Sequence, residues 1–289
     1  MIFTRERFIG VTVGLVFGFL AFVYGLRWLE SKMTFQPDRM TEAERNIVPE
    51  GAESVWFNSA DGTRLHGWFF ESQAGPEIAT VIFFHGNGGN IGNVSWVGQR
   101  FAKRGFDVLL FDYRGYGASD GDAANESDLY ADGDAAVAFV RNVKGARPDR
   151  IVLYGQSLGT AIVADVASRG PFGAVVLESG FSSASSVAAS ALPWLPRWLH
   201  FLGKNRFESA RKLTSVKAPI LITHGDPDHT IPTGESQMLF ASANEPKKLL
   251  IFRGADHNVF GSLGEPYLTQ VEQFIRESLV EAAQPTARL

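Results

Sequence analysis

Gly155-Gln156-Ser157-Leu158-Gly159 is the stretch on which the reading of this chain turns. Arg150-Ile151-Val152-Leu153-Tyr154 runs into it as a short, β-rich apolar strand signal. Thr160-Ala161-Ile162-Val163-Ala164-Asp165-Val166-Ala167 runs out of it with helix-capable residues. A serine on so tight a strand-to-helix turn has its hydroxyl pushed clear of the backbone. The flanking glycines tolerate the strained geometry, and the following helix aims its first N–H groups at any anion that forms there. Ser157 is therefore the candidate nucleophile. Residue frequencies alone predict about 0.2 chance matches to G-x-S-x-G in a chain of this composition. A second match, Gly117-Ala118-Ser119-Asp120-Gly121, is in fact present. It leads into Asp122-Ala123-Ala124-Asn125 with no immediate helix, and reads as a glycine-rich turn after a strand.

Outward from the elbow, strand and helix signals alternate. Residues 53–57 and 64–70 flank Asp61-Gly62, a hairpin signal. Further strands are expected over 80–84, 108–113, 151–154, 174–177, 219–223 and 248–252, and helices over 94–104, 129–143, 234–242 and 266–282. Near-continuous apolar strands alternating with helices predict an α/β fold, with a mostly parallel eight-stranded sheet covered on both faces. In such a sheet functional groups gather beyond the carboxyl ends of the strands.

A serine nucleophile needs a base, a group that orients the base, and donors for an oxyanion. His257 follows the 248–252 strand in the loop Arg253-Gly254-Ala255-Asp256-His257-Asn258 and is the expected base. The strand before it ends in His224-Gly225-Asp226-Pro227-Asp228-His229. Asp228, farther beyond the strand end, is the preferred acid, while Asp226 on its Gly-Asp-Pro turn is the expected loop stabiliser. His224, Asp226, Asp228 and His229 also invite a metal reading, but no second cluster in the sequence completes a shell. The oxyanion donors are expected to be the main-chain amides of Leu158 and, in the loop His85-Gly86-Asn87-Gly88-Gly89-Asn90, of Asn87, with Gly88 in reserve. His85 is expected to hold that loop, and His66 and His200 to be structural. The loop lacks G-x-G-x-x-G and is followed by no P-loop lysine.

These motifs, with Asp112-Tyr113-Arg114-Gly115-Tyr116-Gly117-Ala118-Ser119 and the Ile231-Pro232 end of the acid loop, resemble the α/β-hydrolase superfamily from about residue 50 to 280. More narrowly they are similar to membrane-anchored α/β-hydrolase-domain proteins, relatives of the monoglyceride-lipase and serine-aminopeptidase-like branches. The resemblance implies Ser157 as nucleophile, Asp228 as acid, His257 as base and amides near Asn87 and Leu158 as the oxyanion hole, with no cofactor and no metal. One departure is Asp256, where a small residue is common before the histidine; its carboxylate either acts on the imidazole or faces solvent.

Composition sets the context. Of 289 residues, 45% are hydrophobic and 20% charged, as in ordinary globular proteins. A net charge of −4 without a basic cluster argues against nucleic-acid binding. The absence of cysteine rules out disulfides and cysteine catalysis. Residues 8–26 carry no charge and are rich in Phe, Val, Leu, Ile and Gly, about the length of a membrane-spanning helix. A cleaved signal peptide would need small residues after the run, where Tyr24-Gly25-Leu26-Arg27-Trp28 is bulky. The expected organisation is thus an N-terminal membrane anchor over 1–31, a linker over 32–50, a hydrolase domain over 51–283 and a tail over 284–289. Arg5 and Arg7 before the span, against Arg27, Lys32, Arg39 and Arg45 after it, lean toward a cytoplasmic domain without fixing its side.

Residues 182–218 are where such folds insert a cap, and the insertion is short. It carries Trp194 and Trp198 with Leu195, Leu199, Phe201 and Leu202, which either line an acyl pocket, meet the membrane interface, or pack as a cap helix. The expectation is a membrane-anchored serine hydrolase acting on carboxylic esters or thioesters, with a small-molecule or lipid-like acyl substrate. A serine peptidase and a non-catalytic binding scaffold are the alternatives.

Overall fold

The computed structural model describes residues 5–191, 193–194, 196 and 203–283. Its strands are β1 (Gln36–Pro37), β2 (Ala52–Asn58), β3 (Arg64–Phe70), β4 (Thr80–Phe84), β5 (Gly88–Gly89), β6 (Asp107–Phe111), β7 (Ile151–Gln156), β8 (Ala174–Glu178), β9 (Ile220–Gly225) and β10 (Lys247–Phe252). Its helices are α1 (Arg5–Thr34), α2 (Glu42–Arg45), α3 (Ser95–Ala102), α4 (Glu126–Asn142), α5 (Leu158–Ala167), α6 (Ala184–Ala191), α7 (Ser209–Leu213), α8 (Gly234–Ser242), α9 (Val259–Leu263) and α10 (Glu265–Ala283).

The main sheet has eight strands in the order β10-β9-β8-β7-β4-β6-β3-β2. Every pairing from β10 across to β6 is parallel, and the hairpin β2–β3 closes the other edge antiparallel. Strand β4 shows why both faces are covered, since alternate side chains point to opposite sides of a strand. Ile82 and Phe84 join one core with residues of α4 and α5, among them Leu129, Val140 and Ile162. Val81 and Phe83 join the other with residues of α3 and α10, among them Phe101, Leu268 and Val271. All of these side chains are essentially fully buried. The chain runs from β4 outward to β6 and then crosses back to β7 on β4's other side. The carboxyl ends of β4 and β7 therefore flank the point where the winding reverses, where a crevice opens in sheets of this kind.

The stretch 32–50, expected as a linker, is folded onto the domain. Helix α1 continues to Thr34, and β1 then pairs in parallel with β5. Phe35 and Met40 are buried, and Thr41 and Glu44 form a reciprocal capping box on α2. Within 182–218, where a short cap is expected, the described helices are α6 and α7, and Phe207 between them is buried. Trp194 is 76% exposed. Leu195, Trp198, Leu199, His200, Phe201 and Leu202 lie outside the described residues, as does the tail 284–289. Among the described residues no helix is long and apolar enough to cross a membrane, so the anchor expected over 1–31 is without support in the fold.

Candidate active site

The turn after β7 has the geometry its glycines foretell. Ser157 sits at φ 51°, ψ −117°, a left-handed conformation costing a side-chain-bearing residue roughly 1–3 kcal/mol. Close packing enforces it: a Cβ on Gly159 would stand 2.0 Å from the Phe84 carbonyl oxygen, and one on Gly155 would stand 2.6 Å from the Gly159 carbonyl oxygen. The Ser157 N–H donates to the Glu178 carbonyl at 2.9 Å, which ties the turn to β8.

Three elements bring the expected residues together. Ser157 Oγ lies 2.9 Å from His257 Nε2, across 100 positions of sequence. His257 Nδ1 lies 2.8 Å from Asp228 Oδ2. That carboxylate can only accept, so Nδ1 carries the proton and Nε2 presents its lone pair to the serine hydroxyl. The imidazole keeps 24% of its surface exposed while the Asp228 side chain is fully buried.

Asp228 is satisfied on every side. Its Oδ1 accepts the N–H groups of Thr230 at 2.8 Å and Ile231 at 2.9 Å. Its Oδ2 also faces His224 Nε2 at 3.0 Å. Burial pushes the carboxyl up, but hydrogen bonds from His224, His257 and the Ile231 amide outweigh it and hold the group well below the usual carboxylate range. His224 is itself fully buried between the Ile231 carbonyl, 2.9 Å from Nε2, and the Ser236 hydroxyl at Nδ1. It braces Asp228, a contact its sequence position does not disclose. Asp226 takes the Gly254 N–H at 2.7 Å and so ties the acid loop to the histidine loop. Asp256 does the same from the other side, accepting from its neighbour His257's own N–H at 2.8 Å and from the His229 N–H at 3.3 Å. Its carboxylate serves the main chain.

The loop after β4 closes the site. A Cβ on Gly86 would lie 3.5 Å from the Ser157 Cβ, so this backbone passes directly beside the hydroxyl. Asn87 comes next, and its side-chain oxygen accepts from the Gln36 N–H and the Tyr116 hydroxyl. With that oxygen occupied, Asn87 keeps only donors, its main-chain N–H and its side-chain NH2, for a ligand; Gly88 is already in register with Gln36 in the β1–β5 pairing. His85 is buried, with Nδ1 2.8 Å from the Gly86 carbonyl and its ring 4.5 Å from that of Tyr113. Burial lowers its pKa despite the nearby Asp112.

Glu178 escaped the reading of the sequence. It is fully buried at the end of β8, where Oε1 accepts the Phe260 N–H at 2.9 Å and Oε2 accepts the Tyr154 hydroxyl. Burial raises its pKa in spite of those bonds. The same residue thus holds the Ser157 turn through its carbonyl and the segment after His257 through its carboxyl. The only local signal is an acidic residue closing the apolar run 174–177.

Comparison with known proteins agrees with this architecture. A family model described as serine aminopeptidase, S33, matches residues 75–211. The uncharacterised protein YfhR of Escherichia coli K12 is 38% identical over 245 residues, covering 80% of this chain and 83% of that protein. The α/β-hydrolase domain-containing protein 17B of Xenopus tropicalis is 34% identical over 233 residues, covering 80% and 77%. Among solved structures, the Pyrococcus furiosus esterase Pf2001 superposes with a TM-score of 0.68 at 21% identity, covering 85% of this chain and 98% of that one. With relatives of that identity aligned over most of both chains, and with the eight-stranded sheet and its elbow in place, this chain belongs to the α/β-hydrolase superfamily.

Proposed function

We propose that this chain is a membrane-anchored serine hydrolase that cleaves carboxylic ester or thioester bonds, including those of lipid-like acyl substrates, through an acyl-enzyme. The observation that carries the reading is the continuous hydrogen-bonded line from Ser157 through His257 to Asp228, with the hydroxyl on a strained turn beside a glycine backbone. His257 Nε2 takes the serine proton as Oγ attacks the substrate carbonyl. Asp228 remains ionised and stabilises the imidazolium that forms. The tetrahedral oxyanion accepts from the Asn87 and Leu158 amides, the latter at the positive end of α5. His257 then protonates the departing alcohol or thiol. Water, deprotonated by the same nitrogen, attacks the acyl-serine and frees the acid.

The anchor rests on the uncharged run 8–26, about the 20 residues a bilayer core requires. Within that run Leu15 and Phe17 are each 69% exposed, apolar surface that an anchor would cover. The excess of basic residues after the span favours a cytoplasmic domain. The Pyrococcus neighbour is an esterase, which fits the ester reading. The aminopeptidase description of the matching family keeps peptide bonds as the second reading. Fluorophosphonate labelling of the full chain, with turnover of acyl esters, acyl thioesters and aminoacyl amides followed in parallel, separates the two. Labelling with ester or thioester turnover is expected. Preference for the amides would replace it with a peptidase, and a folded protein that neither labels nor turns over any of them would leave a binding scaffold.

A further inference from the structure

The segment joining α1 to the domain is fastened to the loop that faces Ser157. At its start Phe35 is buried, its ring edge-on to Phe207 with centroids 6.4 Å apart. Gln36 and Pro37 then pair with Gly88 and Gly89. The Gln36 N–H donates to Asn87 Oδ1 at 3.1 Å, and the Tyr116 hydroxyl donates to the same oxygen at 3.0 Å. At the far end the Asp38 carbonyl accepts the Gly117 N–H at 2.9 Å and the Asn90 side-chain amide at 3.2 Å. The Met40 N–H returns to the Gly117 carbonyl at 2.9 Å.

The loop so held is poorly equipped to hold itself. Gly86, Gly88 and Gly89 contribute three of its first five residues, and Gly89 sits at φ 78°. Glycine loses more freedom on ordering than any other residue. An oxyanion donor, by contrast, must be fixed to within about 0.5 Å to act. Asn87 Oδ1 has two lone pairs, and the Gln36 amide and Tyr116 hydroxyl supply one donor to each.

We propose that residues 35–40 and Tyr116 are positioning residues, which clamp Asn87 so that its main-chain N–H stays aimed at the oxyanion and thereby couple the membrane-proximal strap to turnover. This rests on the serine-hydrolase reading above. The strap is then part of the working site, and anything that lifts it from the 86–89 loop, including a pull on α1, slows the chemistry with little effect on substrate capture.

The test uses the full chain in phosphatidylcholine vesicles, with a water-soluble p-nitrophenyl butyrate as substrate. The wild type is compared with Ser157→Ala, Tyr116→Phe, Phe35→Ala and the double variant Phe35→Ala/Tyr116→Phe. Tyr116→Phe is expected to lower kcat roughly 5- to 20-fold with KM within about twofold, because the loss falls on the transition state. Fluorophosphonate labelling slows by the same factor, and amide hydrogen exchange over 86–90 accelerates. The double variant loses less than the product of the two single losses, since both cut the same fastening. Tyr116→Phe keeps the buried ring and decides the matter even if Phe35→Ala fails to fold. Unchanged kcat and exchange in Tyr116→Phe, whatever its Tm, overturns the clamp alone, provided the wild type labels and Ser157→Ala does not. A wild type that neither labels nor hydrolyses overturns the hydrolase reading and the clamp together.

Discussion

Two turns in this molecule carry the same pattern, G-x-S-x-G, after a strand of the same sheet, and they have opposite fates. At Gly155–Gly159 the serine is at φ 51° and its hydroxyl meets His257. At Gly117–Gly121 the serine is completely buried. Its hydroxyl donates to the Asp112 carbonyl at 2.7 Å and accepts the His66 N–H at 2.9 Å. The strain also falls on different residues: Gly117 and Gly121 take the positive φ in the second turn, and Ser157 takes it in the first. The residues just after each serine make the difference. Helix α5 begins at Leu158 and forces the chain round so that the serine faces outward. No helix begins at Asp120, and the second turn instead docks the strap, through Gly117 and the Arg39 side chain on the Ser119 carbonyl. A motif of five residues thus specifies a turn, and its context decides whether the serine meets a histidine or fastens the backbone.

The comparison breaks most decisively at the serines. Ser157→Ala is expected to cut kcat on the order of 10^6-fold, as for a nucleophile acting within a triad, with an unchanged urea midpoint; activity retained in that variant would sink the assignment. Next comes the acid. Asp228→Asn should lower kcat roughly 10^4-fold by favouring the wrong histidine tautomer. Its effect on stability has a defined pH window. The carboxyl pKa is depressed in the folded state, so as pH falls the unfolded chain takes up the proton first. The stabilisation is therefore fully present above the ordinary value of 3.8 and fades below it. Urea midpoints of the wild type and Asp228→Asn should hold a constant gap from pH 7 to about pH 5 and converge below pH 4; a gap that widens on acidification contradicts the sign.

His224 sharpens the contrast between acting and positioning. His224→Gln should reduce kcat roughly 10- to 100-fold by loosening Asp228, with KM nearly unchanged, and equal activity would reduce the residue to core packing. The smallest effect on turnover belongs to the other turn. Ser119→Ala should leave kcat per labelled site untouched while costing about 1–3 kcal/mol, because the His66 N–H is left buried without a partner. Denaturation by urea measures the loss, and a fall in kcat per labelled site would mean the second turn reaches the chemistry.

Much of this fold is legible in the residues themselves, for reasons particular to each. The runs 64–70 and 80–84 coincide with β3 and β4 because apolar strands bounded by Asp61-Gly62 and His85-Gly86 have sharp chemical edges. Ser157, Asp228 and His257 each lie just past such an edge, so their gathering at one rim is a consequence of the parallel sheet. Residues 35–40 carry no such mark. Their polar and proline-bearing composition reads as a connector, and only burial of Phe35 and Met40 with pairing to Gly88 and Gly89 makes them part of the domain. Glu178 and His224 are hidden similarly, since their partners Phe260 and Ser236 lie 82 and 12 positions away.

By itself, then, the sequence determined what depends on neighbours along the chain: apolar runs of strand length, helix periodicity, turns that only glycine permits, and a serine placed between a strand and a helix. The tertiary structure alone decided what depends on neighbours in space. It chose which of two like turns exposes its serine, set the 2.8 and 2.9 Å contacts of the Ser157–His257–Asp228 line, and laid the strap of residues 35–40 against Asn87. The physical reason is one of range. Backbone propensity acts over a few residues, whereas burial and hydrogen-bond satisfaction are settled only when the whole chain has closed around each group.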